Sequence, residues 1–211
     1  MRRSRIGGLW AALRSRFLRR SDVSHWSDPA AFDTEWDARA RVAAALVPPG
    51  AAVLEFGAGL RQLEKFLDQG ISYIPSDLVD RGPGTLVLDL NVQPLPPLSN
   101  ADTAVFCGVL EYIVDVPALI RWLSGWASLC IASYNCAHSS PGTLPRAAEV
   151  ARRARCGWVN TFTERELCAQ FAEAGFELAD RRSWYETGDS EPILVFRRSK
   201  SQRQRAATPS T

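Results

Sequence analysis

The stretch VLEFGAGLRQLEKFL, residues 53–67, decides the fold. It begins as a buried apolar strand, turns at Gly57 and Gly59, and continues over residues 60–69 with the spacing of an amphipathic helix. Nucleotide-binding α/β domains place their ligand at such a strand, turn and helix. Arg61 stands where these loops often carry a further glycine. The stretch is therefore a working cofactor cradle, a degenerate one, or only a tight turn.

Strand and helix patterns alternate along the rest of the chain. Helices are predicted over residues 32–47, 60–69, 116–127 and 163–176 with a shorter one near 145–155, and strands over 51–56, 71–76, 85–90, 101–110, 128–134, 177–185 and 192–197. This alternation indicates a doubly wound, Rossmann-like α/β fold, with a mostly parallel sheet and helices on both faces. Ligands of such folds bind beyond the carboxyl ends of the strands, beside the first strand.

Length and charge limit the class of protein. The 211 residues suit one domain, and 46% apolar with 23% charged residues is ordinary for a globular protein. Seven arginines and no acid fall in residues 1–21, and residues 197–211 are also basic. The body, residues 22–196, holds 13 basic and all 23 acidic residues, a net charge of about −10. An acidic body argues against nucleic acid as the main partner.

Cysteine usage indicates a reducing compartment. The five cysteines are odd in number, widely spaced and form no C-x-x-C pair: Cys107, Cys130, Cys136, Cys156 and Cys168. This pattern predicts neither a disulfide framework nor a metal site. We expect a cytoplasmic protein, with a peripheral position at the inner face of a membrane as a further option.

The N-terminal segment has three readings. Residues 1–21 place apolar side chains along one helical face and arginines elsewhere, a pattern that fits a helix lying on an anionic membrane. Gly7-Gly8 weakens a helix, so a disordered arginine-rich extension is an alternative, and a mitochondrial transit peptide has a similar composition. We expect residues 1–21 to be an extension, 22–197 the domain, and 198–211 a disordered basic tail.

Acidic residues follow the first three strands. Glu55 ends the first strand, and Asp77 follows the second, 18 residues beyond Gly59. A carboxylate at that spacing accepts the hydroxyl hydrogens of a ribose in dinucleotide-binding folds, although a strand-ending Asp also starts ordinary turns. Asp89 ends the third strand and Gly108 follows the fourth. A generic sheet has little reason to produce this joint pattern.

Five segments together resemble a known family. They are VLEFGAG (53–59), YIPSDL (73–78), LVLDLN (86–91), VFCGVLEYIVDVPALI (105–120) and NTFTERELCAQFAEAGFEL (160–178). With these segments the chain resembles the class I S-adenosylmethionine-dependent methyltransferases that act on small molecules. The resemblance implies a seven-stranded sheet with the last strand antiparallel, and S-adenosylmethionine as cofactor.

The resemblance assigns one end of the cofactor to the first strand. Glu55 and the turn Gly57-Ala58-Gly59 would hold the methionine end, and Cys107 and Gly108 would line the floor of the site. Arg61 is a departure from the family pattern, because it replaces the third glycine. An arginine at this position could pair with the carboxylate of the cofactor.

The resemblance assigns the nucleoside end to the next two strands. Asp77 would bind the ribose hydroxyls, with Leu78 against the adenine. Asp89 and Leu90 would border the adenine ring.

Methyl transfer needs an aligned acceptor more than elaborate acid–base chemistry, but a hydroxyl acceptor benefits from a base. The candidates are Glu111 and Tyr112 after the fourth strand and Tyr134, Asn135 and His138 after the fifth, although Tyr112 also suits a core and His138 a solvated loop. His25, Trp26 and Trp36 lie where such enzymes often carry a lid. The absence of a D/N-P-P-Y motif after the fourth strand counts against methylation of nucleic-acid bases.

Two alternatives stay open at the level of sequence. The first is a catalytically inactive methyltransferase-like domain that serves in binding or assembly. The second is an NAD-dependent or nucleotide-sugar enzyme, which expects G-x-G-x-x-G where this chain has Gln62, and a Y-x-x-x-K pair that the sequence lacks. The favoured reading is a methyltransferase whose acceptor is a small molecule, a sugar or a lipid-linked compound.

Overall fold

The structure, a computed structural model, describes residues 5–32, 36–139, 142–185 and 191–199, without the side chains of residues 5 and 6. The helices are α1 Arg5–Leu18, α2 Val23–Trp26, α3 Trp36–Ala44, α4 Val116–Leu123, α5 Leu144–Arg155 and α6 Glu164–Glu173. The strands are β1 Ala52–Phe56, β2 Ser72–Asp77, β3 Leu86–Val87, β4 Thr103–Cys107, β5 Leu129–Ser133, β6 Phe176–Arg182 and β7 Ile193–Arg198. Residues 200–211 of the predicted tail lie outside the described residues.

The seven strands form one sheet in the order β3-β2-β1-β4-β5-β7-β6. β1 pairs in parallel with both β2 and β4, and β5 continues the parallel arrangement beside β4. β7 runs antiparallel between β5 and β6. The predicted doubly wound sheet with an antiparallel last strand is confirmed, and the switch point lies between β1 and β4.

The central strands are buried on both faces. In β4, Ala104 and Phe106 join one apolar cluster while Val105 joins the other. This alternation follows from the period of two in a strand, which sends successive side chains to opposite faces. The ring of Phe106 stacks on Phe56 of β1 with centroids 4.7 Å apart. Two apolar layers therefore hold the sheet rigid beneath its carboxyl edge.

Helix α6 begins as its sequence predicts. The hydroxyl of Thr163 accepts a hydrogen bond from the Glu166 N–H, and the Glu166 carboxylate accepts one from the Thr163 N–H. This reciprocal capping box satisfies two of the free N–H groups that every helix start exposes.

The helix predicted over residues 60–69 is wrong. The chain makes only one 3-10 turn there, over Leu63–Phe66. Arg61 has a φ of +57°, which belongs to the left-handed region and breaks the helical path before it is established. A ligand at this turn therefore meets a loop backbone, without the N-terminus of a long helix behind it.

The third strand is shorter than predicted. Only Leu86–Val87 of residues 85–90 pairs with β2. As an edge strand followed by a proline-rich loop, β3 has little to pair with. Asp89 therefore lies in the loop beyond the strand.

The N-terminal segment forms α1, which packs against α5. The contact uses small residues: Gly8, Ala12 and Ser15 are buried, and a Cβ on Gly8 would lie 1.7 Å from the carbonyl oxygen of Arg155. Among the described residues, no helix is both long and apolar enough to cross a membrane.

Candidate functional site

A cavity of about 220 Å³ lies at the carboxyl ends of β1, β2 and β4, where the topology predicts a ligand site. Its roof comes from the N-terminal segment, with Ser15 of α1, Trp26 of α2 and Phe32. Most of the predicted site residues line it: Glu55, Gly57, Ala58, Gly59, Asp77, Leu78, Leu90, Cys107, Gly108, Glu111 and Tyr112.

Three predicted site residues, Arg61, Asp89 and His138, do not line this cavity in the described part of the chain. Arg61 donates hydrogen bonds to the Glu64 carboxylate at 3.1 Å and to the Pro83 carbonyl at 3.1 Å. These contacts hold its guanidinium away from the cavity, so the predicted pairing with a cofactor carboxylate does not fit this arrangement. Its φ of +57° explains why a glycine is usual at this position.

Asp89 also has a different role from the predicted one. Its carboxylate accepts hydrogen bonds from the Ser21 N–H at 3.0 Å and from the Ser21 hydroxyl at 2.7 Å. The Asn91 N–H donates to the same carboxylate at 3.0 Å. Asp89 therefore fastens the start of the cavity roof to the loop after β3, while its neighbour Leu90 lines the cavity.

His138 lies in a separate surface depression with Glu149 and Arg152. The backbone N–H of His138 donates a hydrogen bond to the Glu149 carboxylate at 3.2 Å. The structure therefore does not bring His138 together with Glu111 and Tyr112, and a role for its imidazole as base in the cavity is not supported.

The turn after β1 has room only for glycine at Gly57. This residue has a φ of +66°, and a Cβ on it would lie 2.5 Å from Cγ2 of Val109. The absence of a side chain lets the β1 turn and the β4 loop approach each other and expose backbone to the cavity.

The Asp77 carboxylate accepts a hydrogen bond from the turn after β1 and so holds this turn in place. Its Oδ2 accepts the Gly59 N–H at 2.8 Å, and its Oδ1 accepts the Leu78 N–H at 2.7 Å and the Arg81 guanidinium at 3.2 Å. A carboxylate has about four acceptor positions. These three contacts leave about one of them for a ligand hydroxyl, unless Arg81 moves.

Glu55 is a buried carboxyl on the cavity wall. The Tyr73 hydroxyl donates a hydrogen bond to it. Burial raises the pKa of Glu55 to about 8, and the Tyr73 bond and the charge of Arg39 only partly offset this. Burial therefore favours the uncharged form of this carboxyl.

Sequence reasoning missed an ion pair on the opposite wall. Arg39 of α3 donates from Nη1 to Oε1 of Glu191 at 2.7 Å, and the hydroxyl of Ser133 donates to the same oxygen at 3.1 Å. Both Arg39 and Glu191 line the cavity. The Nε of Arg39 is buried and has no hydrogen-bond partner within the described part of the chain. A buried donor of this kind indicates that an acceptor belongs beside it.

Two features explain how these residues meet. A Cβ on Gly108, whose φ is +70°, would lie 2.6 Å from Nη1 of Arg39, so glycine makes room for the guanidinium. Glu191 lies close to Arg39 because β7 runs antiparallel to β5, with Ile193 paired to Ser133. The residue two places before Ile193 therefore lies just past the carboxyl end of β5. Neither feature has a local sequence signal.

Glu111 is a second buried carboxyl in the cavity lining. Its Oε1 accepts the Asn135 N–H at 2.7 Å, which fixes the side chain. Its Oε2 is buried and makes no hydrogen bond to any described residue. Burial, followed by repulsion from Glu191, raises its pKa to about 7. Such a group exchanges a proton near neutral pH.

Aromatic side chains close the cavity. Tyr112 meets Trp26 edge to face with ring centroids 5.1 Å apart. Trp158, which sequence reasoning missed, donates from Nε1 to the Tyr112 hydroxyl at 3.1 Å. Trp26 and Trp36 line the cavity, whereas His25 does not belong to the lining among the described residues.

The residues after β5 are structural. Tyr134 is buried, and its hydroxyl accepts hydrogen bonds from Arg153 at 3.0 Å and from the Phe162 N–H at 2.9 Å. Arg153 is itself buried and also bonds Asn135. This network holds the loop that positions Glu111.

The lining fits S-adenosylmethionine chemically. The Gly57 turn leaves space against the backbone, Asp77 offers an acceptor for a ribose hydroxyl, and Arg39 offers a cation with an unused donor. Leucines in the lining suit an aromatic base, and Glu111 offers a carboxyl oxygen that has no hydrogen-bond partner among the described residues.

Comparison with known proteins agrees with this geometry. A family model described as a methyltransferase domain matches residues 25–180. No curated protein sequence matches the chain.

Solved structures share the fold. The 1,6-didemethyltoxoflavin-N1-methyltransferase of Burkholderia thailandensis, crystallised with 1,6-didemethyltoxoflavin and S-adenosylhomocysteine, is 20% identical, with 90% of this chain and 89% of that chain covered and a TM-score of 0.61. A magnesium protoporphyrin IX methyltransferase from Synechocystis with bound S-adenosylhomocysteine is 21% identical, with 78% and 84% covered and a TM-score of 0.55. For a candidate O-methyltransferase of Nostoc punctiforme the values are 14% identity, 92% and 72% coverage and a TM-score of 0.63. At these identities the similarity establishes a common fold.

Proposed function

This chain belongs to the methyltransferase domain family, of the class I S-adenosylmethionine-dependent type, and we propose that it methylates a small-molecule acceptor. The acceptor class includes sugars and lipid-linked compounds. The observation that carries the proposal is the cavity itself, in which glycine turns, Asp77, Arg39 and Glu111 meet at the carboxyl ends of β1, β2 and β4.

Each end of the cofactor has a proposed partner. S-adenosylmethionine supplies an electrophilic sulfonium methyl group when bound. Asp77 accepts a ribose hydroxyl, while Leu78 and Leu90 contact the adenine. Arg39, in place of Arg61, pairs with the carboxylate through its unused Nε, and Glu55 lies beside the Gly57 turn at the methionine end.

Glu111 is the proposed base for the acceptor. Bound S-adenosylmethionine would supply the methyl group to an acceptor oxygen or nitrogen and would leave as S-adenosylhomocysteine. The acceptor proton passes to Oε2 of Glu111, which has no other hydrogen-bond partner among the described residues. The Asn135 N–H holds Oε1 at 2.7 Å and so orients the carboxylate. A base of this kind contributes about 10²–10⁴-fold to rate.

Calorimetry with S-adenosylmethionine and S-adenosylhomocysteine tests the binding half of the proposal. We expect saturable binding of both at one site per chain. The Asp77→Ala variant should lose at least about tenfold in affinity, because a hydrogen bond to a charged group contributes about 1.5–3 kcal/mol. Absence of binding by the folded wild-type chain would overturn the methyltransferase proposal.

A methylation assay over phenols, hydroxylated sugars, heteroaromatic amines and polyprenyl glycosides tests the catalytic half. Glu111→Gln should lower kcat by about 10²-fold or more with little change in cofactor affinity. Cofactor binding without turnover of any of these acceptors would support the alternative of an inactive domain instead.

A further inference from the structure

Helix α1 presents its small residues to the protein and its large apolar residues to solvent. Gly8, Ala12 and Ser15 are buried on the inner face, where the helix packs against α5. Leu9, Trp10, Leu13 and Phe17 are 40%, 68%, 51% and 88% exposed. At 3.6 residues per turn these four lie within an arc of about 100°, roughly opposite the inner face. The amphipathic pattern of the sequence is therefore not used to bury α1 in the domain.

The charges beside this apolar stripe have one sign. Arg14 and Arg16 are exposed and flank the stripe on its two sides, and Arg20 follows the helix. Residues 1–21 hold seven arginines and no acid. A second copy of the chain on this face would bring like charges together, which disfavours association. An anionic lipid surface accepts the apolar stripe and attracts the arginines at the same time.

We propose that the outer face of α1 docks on anionic membranes, with Trp10, Leu13 and Phe17 entering the boundary between headgroups and acyl chains. The arginines on both sides of the stripe contact the lipid phosphates, as basic residues on interfacial helices do.

This docking fixes the cavity close to the bilayer. Ser15, on the inner face of α1, lines the cavity, and Ser21 bonds Asp89 at the roof. A helix with its side chains is about 10–12 Å across, so a docked α1 holds the cavity about that far from the lipid surface. Resting on the proposed function, this arrangement selects acceptors that are lipid-linked or amphiphilic.

Vesicle flotation tests the docking without cofactor or acceptor. The full chain is mixed with vesicles of phosphatidylcholine alone or with about 30% phosphatidylglycerol, at low and high salt. We expect binding to the anionic vesicles that weakens as salt screens the charges. The variant Trp10→Ser/Phe17→Ser should bind at least about tenfold more weakly, because it lacks the two aromatic rings whose transfer from water into the membrane favours binding.

Matched variants separate docking from folding and from charge alone. Leu178→Ser, at an exposed leucine of β6, should bind vesicles like the wild type. Arg14→Gln/Arg16→Gln should lower binding to anionic vesicles and leave binding to phosphatidylcholine unchanged. Circular dichroism checks that every variant retains its helix content.

Three results would overturn the proposal. They are absence of anionic-vesicle binding by the wild type, equal binding by Trp10→Ser/Phe17→Ser, and a dimer in sedimentation that this variant converts to a monomer. The third would assign the face to a second copy of the chain. Calorimetric binding of S-adenosylmethionine is measured separately, so failure of docking and failure of the methyltransferase proposal are distinguishable.

Discussion

Two arginines near the cavity illustrate how little residue type alone decides. Arg61 lies in the loop motif, yet its guanidinium donates hydrogen bonds to Glu64 and Pro83. Arg61 does not line the cavity in the described part of the chain. Arg39 lies in a helix with no motif, yet it lines the cavity. The backbone direction at each position, and not the sequence spacing, determines which guanidinium lines the cavity.

Substitution of the two arginines should therefore have different effects. Arg39→Gln is expected to weaken S-adenosylmethionine binding about 10-fold or more, because a charge-assisted hydrogen bond contributes about 1.5–3 kcal/mol. Arg61→Gly should leave the affinity within about twofold, since its half-buried guanidinium pairs with an exposed Glu64 and is not part of the described cavity lining. Calorimetry measures both.

A second ligand serves as the control for Arg39. Methylthioadenosine lacks the amino-acid part of the cofactor, so its affinity should not change in Arg39→Gln. An equal loss of affinity for both ligands would contradict the assignment of Arg39 to the carboxylate, and partial recovery in Arg39→Lys would support it.

At the scale of elements, α1 is held by a close approach of backbones. The Cβ that Gly8 lacks would lie 1.7 Å from the Arg155 carbonyl oxygen. Gly7 precedes it in the same helix and is exposed. A glycine that weakens an isolated helix therefore enables a tertiary contact at Gly8.

Alanine at these two glycines should act in opposite directions. In an exposed helical position Gly→Ala stabilises by about 0.5–1 kcal/mol, and Gly7→Ala should do so. Gly8→Ala should lower the free energy of unfolding and release α1, because backbone atoms of α5 occupy the space of its Cβ. Urea unfolding measures the free energy of unfolding, and the rate of tryptic cleavage at Arg19 and Arg20 reports the release of α1. Equal stabilisation by both substitutions would exclude the close contact.

At the scale of the whole molecule, buried carboxyls make stability depend on pH. Burial raises the pKa of Glu55 to about 8 and that of Glu111 to about 7, above the 4.5 of an exposed glutamate. Between pH 4.5 and 8 the folded chain therefore binds more protons at these groups than the unfolded chain does. Their contribution to the free energy of unfolding is fully present below pH 4.5 and declines as pH rises through this window.

Glu55→Gln should remove much of this decline. The wild type is expected to lose stability between pH 5 and 8.5 by an amount on the order of a few kcal/mol, since one pKa unit corresponds to about 1.4 kcal/mol. The variant should show a flatter profile in urea unfolding, because the amide has no proton to lose. Glu177→Gln, at an exposed glutamate of β6, should keep the wild-type profile, and a parallel shift of all three profiles would contradict this account.

The sequence by itself determined the α/β class, the seven strands and most of the cavity lining contributed by their carboxyl ends. These properties follow from local patterns, because strand period, glycine turns and strand-ending acids are written within a few residues. The exception at this scale is the predicted helix over residues 60–69, where the left-handed backbone at Arg61 left only a 3-10 turn.

Only the tertiary structure decided which distant side chains complete the site. Arg39 and Glu191 are 152 residues apart in sequence, and they meet because β7 inserts antiparallel beside β5. Trp158 reaches Tyr112 through the loop that the Arg153 network supports. For α1, the sequence predicted the apolar face of the helix but not the face that packs against α5. Contacts between elements depend on shape and register after packing, and no short stretch of sequence encodes them.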